Sequence, residues 1–288
     1  MLTENFTLVN YSNPFVLPYD HRELIKEYAL SVFDIKDYAG NGIVINADSV
    51  ITKIEKACND ILFNNGRKTE ILQAGNGKID SSVLCQAIFP VITCPCHCAG
   101  CYAVNACTKK FNGIGKQTAE SWFKWFFIEK YYPEIYFTQV DRELSKTSLL
   151  ECRWHVSGDF IDNNDVIYCI NLFKKHSGKK FYTYTKRDAK RDNMPALPEL
   201  LALDNVNVVD SLPCGMKNYG NSEYLEKLVK TVFDKTGEKV VVCACGTDIE
   251  KAYNKEHNKK AGGDGKKYCG GKCKACRDCK YIAFIEHK

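Results

Sequence analysis

The sequence predicts an α/β fold with parallel strands, and two observations carry that prediction. From residue 83 onward, short runs rich in β-branched and aromatic residues alternate with longer stretches of helical periodicity. Strands that alternate with helices pair in parallel through right-handed crossovers. The second observation is where the polar residues fall. Each of the first five strand-like runs ends in polar or thiol-bearing residues, and parallel α/β folds gather their functional groups at the carboxyl ends of strands. Six such runs make either a doubly wound sheet or most of a TIM-type barrel.

The 288 residues suffice for one large α/β domain or two small ones. Hydrophobic residues make up 45% and charged residues 26%, an ordinary globular composition. The opening MLTENFTLVNYSNPF has no basic start followed by an apolar run, so no signal peptide is expected. No apolar stretch reaches the length of a membrane span, so no membrane partner is expected either. These features predict a cytoplasmic protein, in a compartment where 16 cysteines bind metals more often than they pair as disulfides. The net charge of +5 permits an anionic partner without demanding one.

Residues 1–80 read as a mostly helical N-terminal extension, placed across one end of the sheet or over a site. Arg22 to Phe33 has helical spacing, and Gly42 to Asn46 reads as a short strand. Val50 to Phe63 is helical again, with Asn46 or Asp48 as its cap and Asn64-Asn65-Gly66 as its stop. Cys58 falls inside that pattern as a core residue. The second region, 81–288, opens with Val83 to Ile92, a strand-like run bent or ended by Pro90. Then come a helix over Ala119 to Tyr132, a strand over Leu149 to Val156, and a helix over Val166 to Lys175. A strand over Lys180 to Thr185, a short helix over Leu197 to Leu203 and a strand over Val206 to Asp210 follow. The series closes with a helix over Tyr224 to Phe233 and strands over Lys239 to Cys243 and Tyr281 to Ile285.

The first strand runs into Thr93 to Ala103, TCPCHCAGCYA, where Cys94, Cys96, Cys98 and Cys101 fall within eight positions. A buried cysteine packs as a small hydrophobe and needs no companions. Several thiols on one short loop can instead converge on a point, as a metal centre requires. Cys94, Cys98 and Cys101 stand as C-x3-C-x2-C. Three thiolates can hold three irons of a [4Fe–4S] cluster and leave the fourth open, whereas electron-transfer clusters usually close the site with four. Cys96 allows a different trio, and all four thiols together could hold zinc.

With this spacing the chain resembles the radical S-adenosylmethionine (SAM) superfamily. The resemblance implies that the open iron chelates the amino and carboxylate groups of SAM. An electron from a donor then cleaves SAM to a 5′-deoxyadenosyl radical, which acts on a substrate the sequence does not identify. It also implies the second fold, a partial (β/α)6 TIM-type barrel, with the cluster loop after the first strand. The family usually carries an aromatic residue before the third cysteine. This chain has Gly100 there, with Tyr102 just after.

The second strand ends in His155-Val156-Ser157-Gly158-Asp159-Phe160. Ser157-Gly158-Asp159 looks like a variant of the family's Gly-Gly-Glu segment, which binds the SAM amino group. Gly158 would let the backbone approach the ligand and Asp159 would accept from an ammonium. The plain alternative is a turn. His155 reads as a packed residue before it reads as a catalyst. The third strand ends at Thr185-Lys186-Arg187-Asp188, where Thr185 could reach the SAM ribose or carboxylate and Lys186 or Arg187 could meet an anionic group. A solvated basic loop with Lys190 and Arg191 is the alternative. Ser211 closes the fourth strand, before Leu212-Pro213-Cys214-Gly215, and Cys243-Ala244-Cys245-Gly246 closes the fifth.

The tail carries Cys269, Cys273, Cys276 and Cys279 in C-x3-C-x2-C-x2-C, a closed metal site for zinc or for an auxiliary [4Fe–4S] cluster. Cys243 and Cys245 could join it. In a strict βα alternation the loop before the last strand lies at the end opposite the active site, which favours a structural role. Lys255, Lys259, Lys260, Lys266 and Lys267 could touch nucleic acid, though a charge run is usually a solvated face. The combination of C-x2-C-Y-A at Cys98 to Ala103, W-H-x-S-G-D-F at Trp154 to Phe160 and the cysteine-rich tail resembles a family of mostly phage-encoded proteins. That resemblance spans roughly residues 80–288 and bears on the fold, not on the substrate. Two further readings stand beside the enzyme: a zinc-stabilised, non-catalytic protein that binds nucleic acid, and a degenerate barrel that keeps a cluster without SAM chemistry.

Overall fold

The computed structural model describes residues 10–37, 39–63, 69–75, 79–95, 101–109, 113–211, 230–232, 234–237, 240–243 and 280–284. Of its first two helices, the second starts at a side-chain cap and the first does not. Helix α1 spans Tyr19–Ser31, and α2 spans Ala47–Phe63. The cap of α2 is Asn46, whose Oδ1 accepts from the N–H of Ser49 at 2.8 Å. The strand expected at residues 42–46 does not form, and Lys36 and Gly42 make only an isolated antiparallel bridge. Ile43 and Ile45 are buried all the same, because they fill gaps in a helical core rather than a sheet. Ile25, Ile54 and Ile61 share one apolar core with Phe123, Phe127 and Val140, so the extension packs on the helix layer.

Three more helices precede the second parallel strand: α3 over Tyr102–Thr108, α4 over Ile114–Tyr131 and α5 over Pro133–Lys146. Sequence periodicity finds only α4 among them. Pro133 opens α5 at its first turn, where a missing N–H costs nothing. Helix α6, Asn163–Lys175, is capped by Asp162, which accepts from the N–H groups of Asn164 and Asp165, both at 3.0 Å. The short α7 spans Leu197–Leu201. Of the helix expected over Tyr224 to Phe233, most lies outside the described residues.

The strands are β1 (Gln73–Ala74), β2 (Val83–Cys85), β3 (Glu151–Trp154), β4 (Lys180–Thr185), β5 (Val206–Ser211), β6 (Val240–Cys243) and β7 (Tyr281–Phe284). They form one sheet in the order β1-β2-β3-β4-β5-β7-β6. β1 is antiparallel to β2, and the other six strands are parallel. This is the mixed α/β fold the sequence predicts, but the sheet is open, with β1 and β6 at its edges. The strands also depart from simple chain order. β7 lies between β5 and β6, so the last strand is inserted rather than appended.

The two faces of the sheet differ. Leu84, Cys152, Trp154, Phe181 and Val208 point toward the helices and belong to the main core. There Phe173 stacks on Phe181 with ring centroids 4.0 Å apart, and Phe137 stacks on Tyr168 at 4.9 Å. Burial of each such ring contributes about 1.5–3 kcal/mol, which fixes α5 and α6 against the strands. The opposite face carries Val83, Cys85, Tyr182, Tyr184, Val209 and Ile282, and no helix residue joins that cluster among the described residues. Among them, too, no helix is long and apolar enough to cross a membrane.

Candidate functional site

The loops that leave β2, β3 and β4 meet at the carboxyl edge of the sheet, and Thr93 is where they join. Its hydroxyl donates to the carbonyl of Phe89 at 3.0 Å and accepts from the N–H of Asp159 at 3.1 Å. Its carbonyl accepts from Arg187 Nη2. Arg187 Nε donates to the carbonyl of Phe160 at 2.8 Å. One guanidinium fork thus ties the residue before Cys94 to the segment after Asp159.

Asp159 is the second junction, 2% exposed. Its Oδ1 accepts from the Thr185 hydroxyl at 2.6 Å and from the N–H of Phe160 at 2.8 Å, and its Oδ2 accepts from the N–H of Lys186 at 2.9 Å. Burial raises its pKa against these bonds. With three donors already bound, at most one of its roughly four lone-pair sites is left. Thr185 is spent in the same way, since its hydroxyl also accepts from the N–H of Arg187 at 2.9 Å. Gly158 has φ +88, and a Cβ there would lie 2.5 Å from Ile88 Cγ1 and 3.0 Å from Thr93 Oγ1. The close approach that demands glycine is therefore between two strand-end loops. Ser157 and Ser211, each 2% exposed, are different: neither hydroxyl has a hydrogen-bond partner.

Cys94 and Cys101 bracket the cysteine loop; neither is in a disulfide, and each residue is half-buried. Burial pushes the Cys94 thiol up to about 12, with the negative charges of Asp159 and Cys101 adding and Lys186 opposing. A bound metal reverses that balance, because a coordinating thiol is deprotonated. Tyr102 opens α3 directly after Cys101. The residue is 43% exposed, yet the crowding of protein atoms around its hydroxyl pushes that group to about 12, against the pull of Arg153. Arg153 in turn lies over the Tyr184 ring, 4.7 Å from its centroid, on the face that no helix residue joins among the described residues.

Other predicted residues fall outside the described ones: Cys96 and Cys98 in the loop, and Cys269, Cys273, Cys276 and Cys279 in the tail with its lysines. The register of β7 nevertheless bears on the tail. Lys280, one peptide bond after Cys279, accepts at its carbonyl from the N–H of Asp210 at 2.8 Å, and Tyr281 sits beside Asp210. Asp210 in turn sits beside Thr185. The strand after the tail thus begins level with the carboxyl end of β5, which strict alternation would not give. The basic loop is neutralised from within, as Arg191 pairs with Asp192 at 2.8 Å and donates to the carbonyl of Lys186.

Sequence reasoning missed the clamp at Thr93 and also Gln86, which is wholly buried. Gln86 Oε1 accepts from the N–H of His155 at 2.9 Å, and Gln86 Nε2 donates to the Tyr136 hydroxyl at 2.7 Å. It missed Glu129 and Asp165 as well, both buried near His155. The available signal was Glu129 itself, an acid inside WFKWFFIEKYY, a stretch apolar on nearly every face.

A family model described as Gene product 88 matches residues 55–283, which include both cysteine clusters and every strand but the last residue of β7. No curated protein and no solved structure matches the chain.

Proposed function

We propose that this chain, which belongs to the Gene product 88 family, is a radical SAM enzyme whose cluster is held by Cys94, Cys98 and Cys101. One observation carries the reading. Two free thiols, Cys94 and Cys101, bracket the loop that leaves the first parallel strand, and the residue before Cys94 is clamped on both its hydroxyl and its carbonyl. Such a loop suits a ligand set that must keep its shape while one coordination site stays open. When bound, an open-iron [4Fe–4S] cluster supplies one-electron cleavage of SAM.

The chain's own residues do the positioning. Asp159 and Arg187 act through Thr93 to hold Cys94 in place. Ser157 and Ser211 bring unpartnered hydroxyls to the same edge for the polar groups of SAM, and Tyr102 stands beside the third cysteine. We read the sheet as a partial barrel. This is supported by the segregation of the helices to one face among the described residues, while Arg153, Tyr182 and Tyr184 would line the other as an inner wall for substrate. Cys269, Cys273, Cys276 and Cys279 would hold the second centre, zinc or [4Fe–4S], and an electron donor completes the system.

The test is anaerobic purification, reconstitution with iron and sulfide, and electron paramagnetic resonance. The expected result is a reducible [4Fe–4S] signal that changes on addition of SAM and is lost in Cys101→Ala. A colourless protein with about two zinc ions and no iron, as two closed four-thiolate sites require, would overturn the enzyme and leave the zinc-stabilised binding protein.

A further inference from the structure

A second group of metal-capable side chains lies behind the cysteine loop, between the end of β3 and helices α4 and α6. Glu129, His155 and Asp165 each offer one ligand atom, and these atoms all lie within 4.8 Å of one another. The residues are 2%, 3% and 5% exposed. None of them belongs to the cysteine centre, and the proposed radical chemistry leaves them without a task.

His155 supplies the independent observation. Both of its ring nitrogens are buried without a hydrogen-bond partner. Its position is nonetheless firmly set: the backbone is held at φ +53, its N–H donates to Gln86, and Phe160 packs edge-on at 4.7 Å. A neutral imidazole has one donor and one acceptor, and leaving both unmet in the interior is costly. Glu129 Oε1 is also without a partner; its Oε2 receives a long 3.4 Å contact from Gln86 Nε2, and the carboxyl interacts with the Tyr136 hydroxyl and with the carboxyl of Asp165. Asp165 commits one oxygen to the N–H of Ile161 at 2.9 Å, while the other faces the Cys169 thiol at 3.8 Å.

The charges are unmatched as well. Lys130, next to Glu129 on α4, pairs with Asp162 at 3.3 Å, and among the described residues no ion pair reaches Glu129 or Asp165. Two buried carboxylates without a cation need protons or a metal. A shared proton would neutralise one acid and leave the imidazole as it is. A divalent ion would balance both acids and accept the unused lone pair of one His155 ring nitrogen in one step.

We propose that Glu129, His155 and Asp165 bind a divalent transition-metal ion at a site separate from the cysteine loop. Nitrogen and oxygen ligands sit about 2.0–2.2 Å from such an ion, with roughly 3–4.2 Å between ligands. Binding the ion would draw the cluster in from its present span of up to 4.8 Å. One imidazole and two carboxylates suit Mn2+, Fe2+ or Zn2+ and not an iron–sulfur cluster. The ion joins the end of β3 to α4 and α6, directly behind the segment that carries Ser157 and Asp159.

Mn2+ is the probe of choice, because thiolates are poor ligands for it and the cysteine clusters stay silent. The full chain, stripped with chelator, is equilibrated with Mn2+ in urea below the unfolding midpoint, where local opening admits the ion. Electron paramagnetic resonance is expected to count about one bound Mn2+ per chain, with the Tm rising as Mn2+ is added. Glu129→Gln and Asp165→Asn should melt cooperatively without metal, bind Mn2+ at least tenfold more weakly and lose the Tm rise. The pulsed spectrum of the unmutated chain should show coupling to a single imidazole nitrogen, a readout that needs no variant. No stoichiometric binding, no nitrogen coupling, or equal binding by the two variants would each overturn the proposal and leave a proton-sharing carboxyl pair.

Discussion

At Gly158 the sequence names the residue and the structure supplies the reason. The φ of +88 and the 2.5 Å approach to Ile88 Cγ1 leave no room for a side chain. Gly158→Ala should therefore cost roughly 2–4 kcal/mol, from strain and overpacking together. The measurement is the urea midpoint, expected to fall with an unchanged slope. Lys124 shows the converse, a residue whose spacing marks only a helix face. Its Nζ lies 3.7 Å from the Trp125 ring centroid. Burial lowers its pKa from 10.5 to about 8, with Lys53 adding to the shift. The folded chain thus holds fewer protons than the unfolded chain between those values. The penalty is fully present below pH 8 and fades as pH rises through the window. Lys124→Met should be more stable at pH 7 by roughly 1–3 kcal/mol, discounted for partial exposure. It should also lose the rise in Tm between pH 8 and 10 that this shift predicts for the unmutated chain.

Between elements, the site is a set of ties among three loops. The Asp159–Thr93 bond spans 66 positions of chain and the Arg187–Thr93 bond spans 94. No spacing rule reaches that far, so the sequence located the three loops but not the bonds among them, in which the Asp159 carboxylate accepts from Thr185, Phe160 and Lys186. Local signals did better where the physics is local. Asn46 caps α2 as expected, and the strand over Lys180–Thr185 matches its expected bounds. Helix α5 went unread after Tyr132, where Pro133 stops one helix and starts the next. The ties predict that Arg187→Lys fails despite keeping the charge, since an ammonium cannot hold Phe160 and Thr93 at once. Cluster content after reconstitution should fall roughly three- to tenfold. Cys94 should alkylate faster in the metal-free variant, while the far-ultraviolet circular dichroism stays the same.

At the scale of the whole molecule, alternation of strands and helices was enough to predict the fold class, but not the position of β7 between β5 and β6. Strand order is decided by which edges find each other after folding, and Tyr281–Phe284 carries the same apolar texture as any neighbour. A chain cut after Cys279 tests the arrangement. β6 pairs only with β7 among the described residues, and Val209 is wholly buried beside that seam. The shortened chain should bind a hydrophobic dye and melt over a broad range, whereas a cooperative melt at the original temperature would mean that β7 is dispensable. The inserted strand also sets a timetable. Residue 281 leaves the ribosome 38 residues after residue 243, an interval of about 2–8 s at ordinary elongation rates. Throughout it, β5 offers an unpaired edge and β6 has nothing to dock on, so each nascent chain passes through a stage open to chaperones and to its neighbours on the same message. Codon choice between those two strands thus becomes a lever on the yield of folded protein.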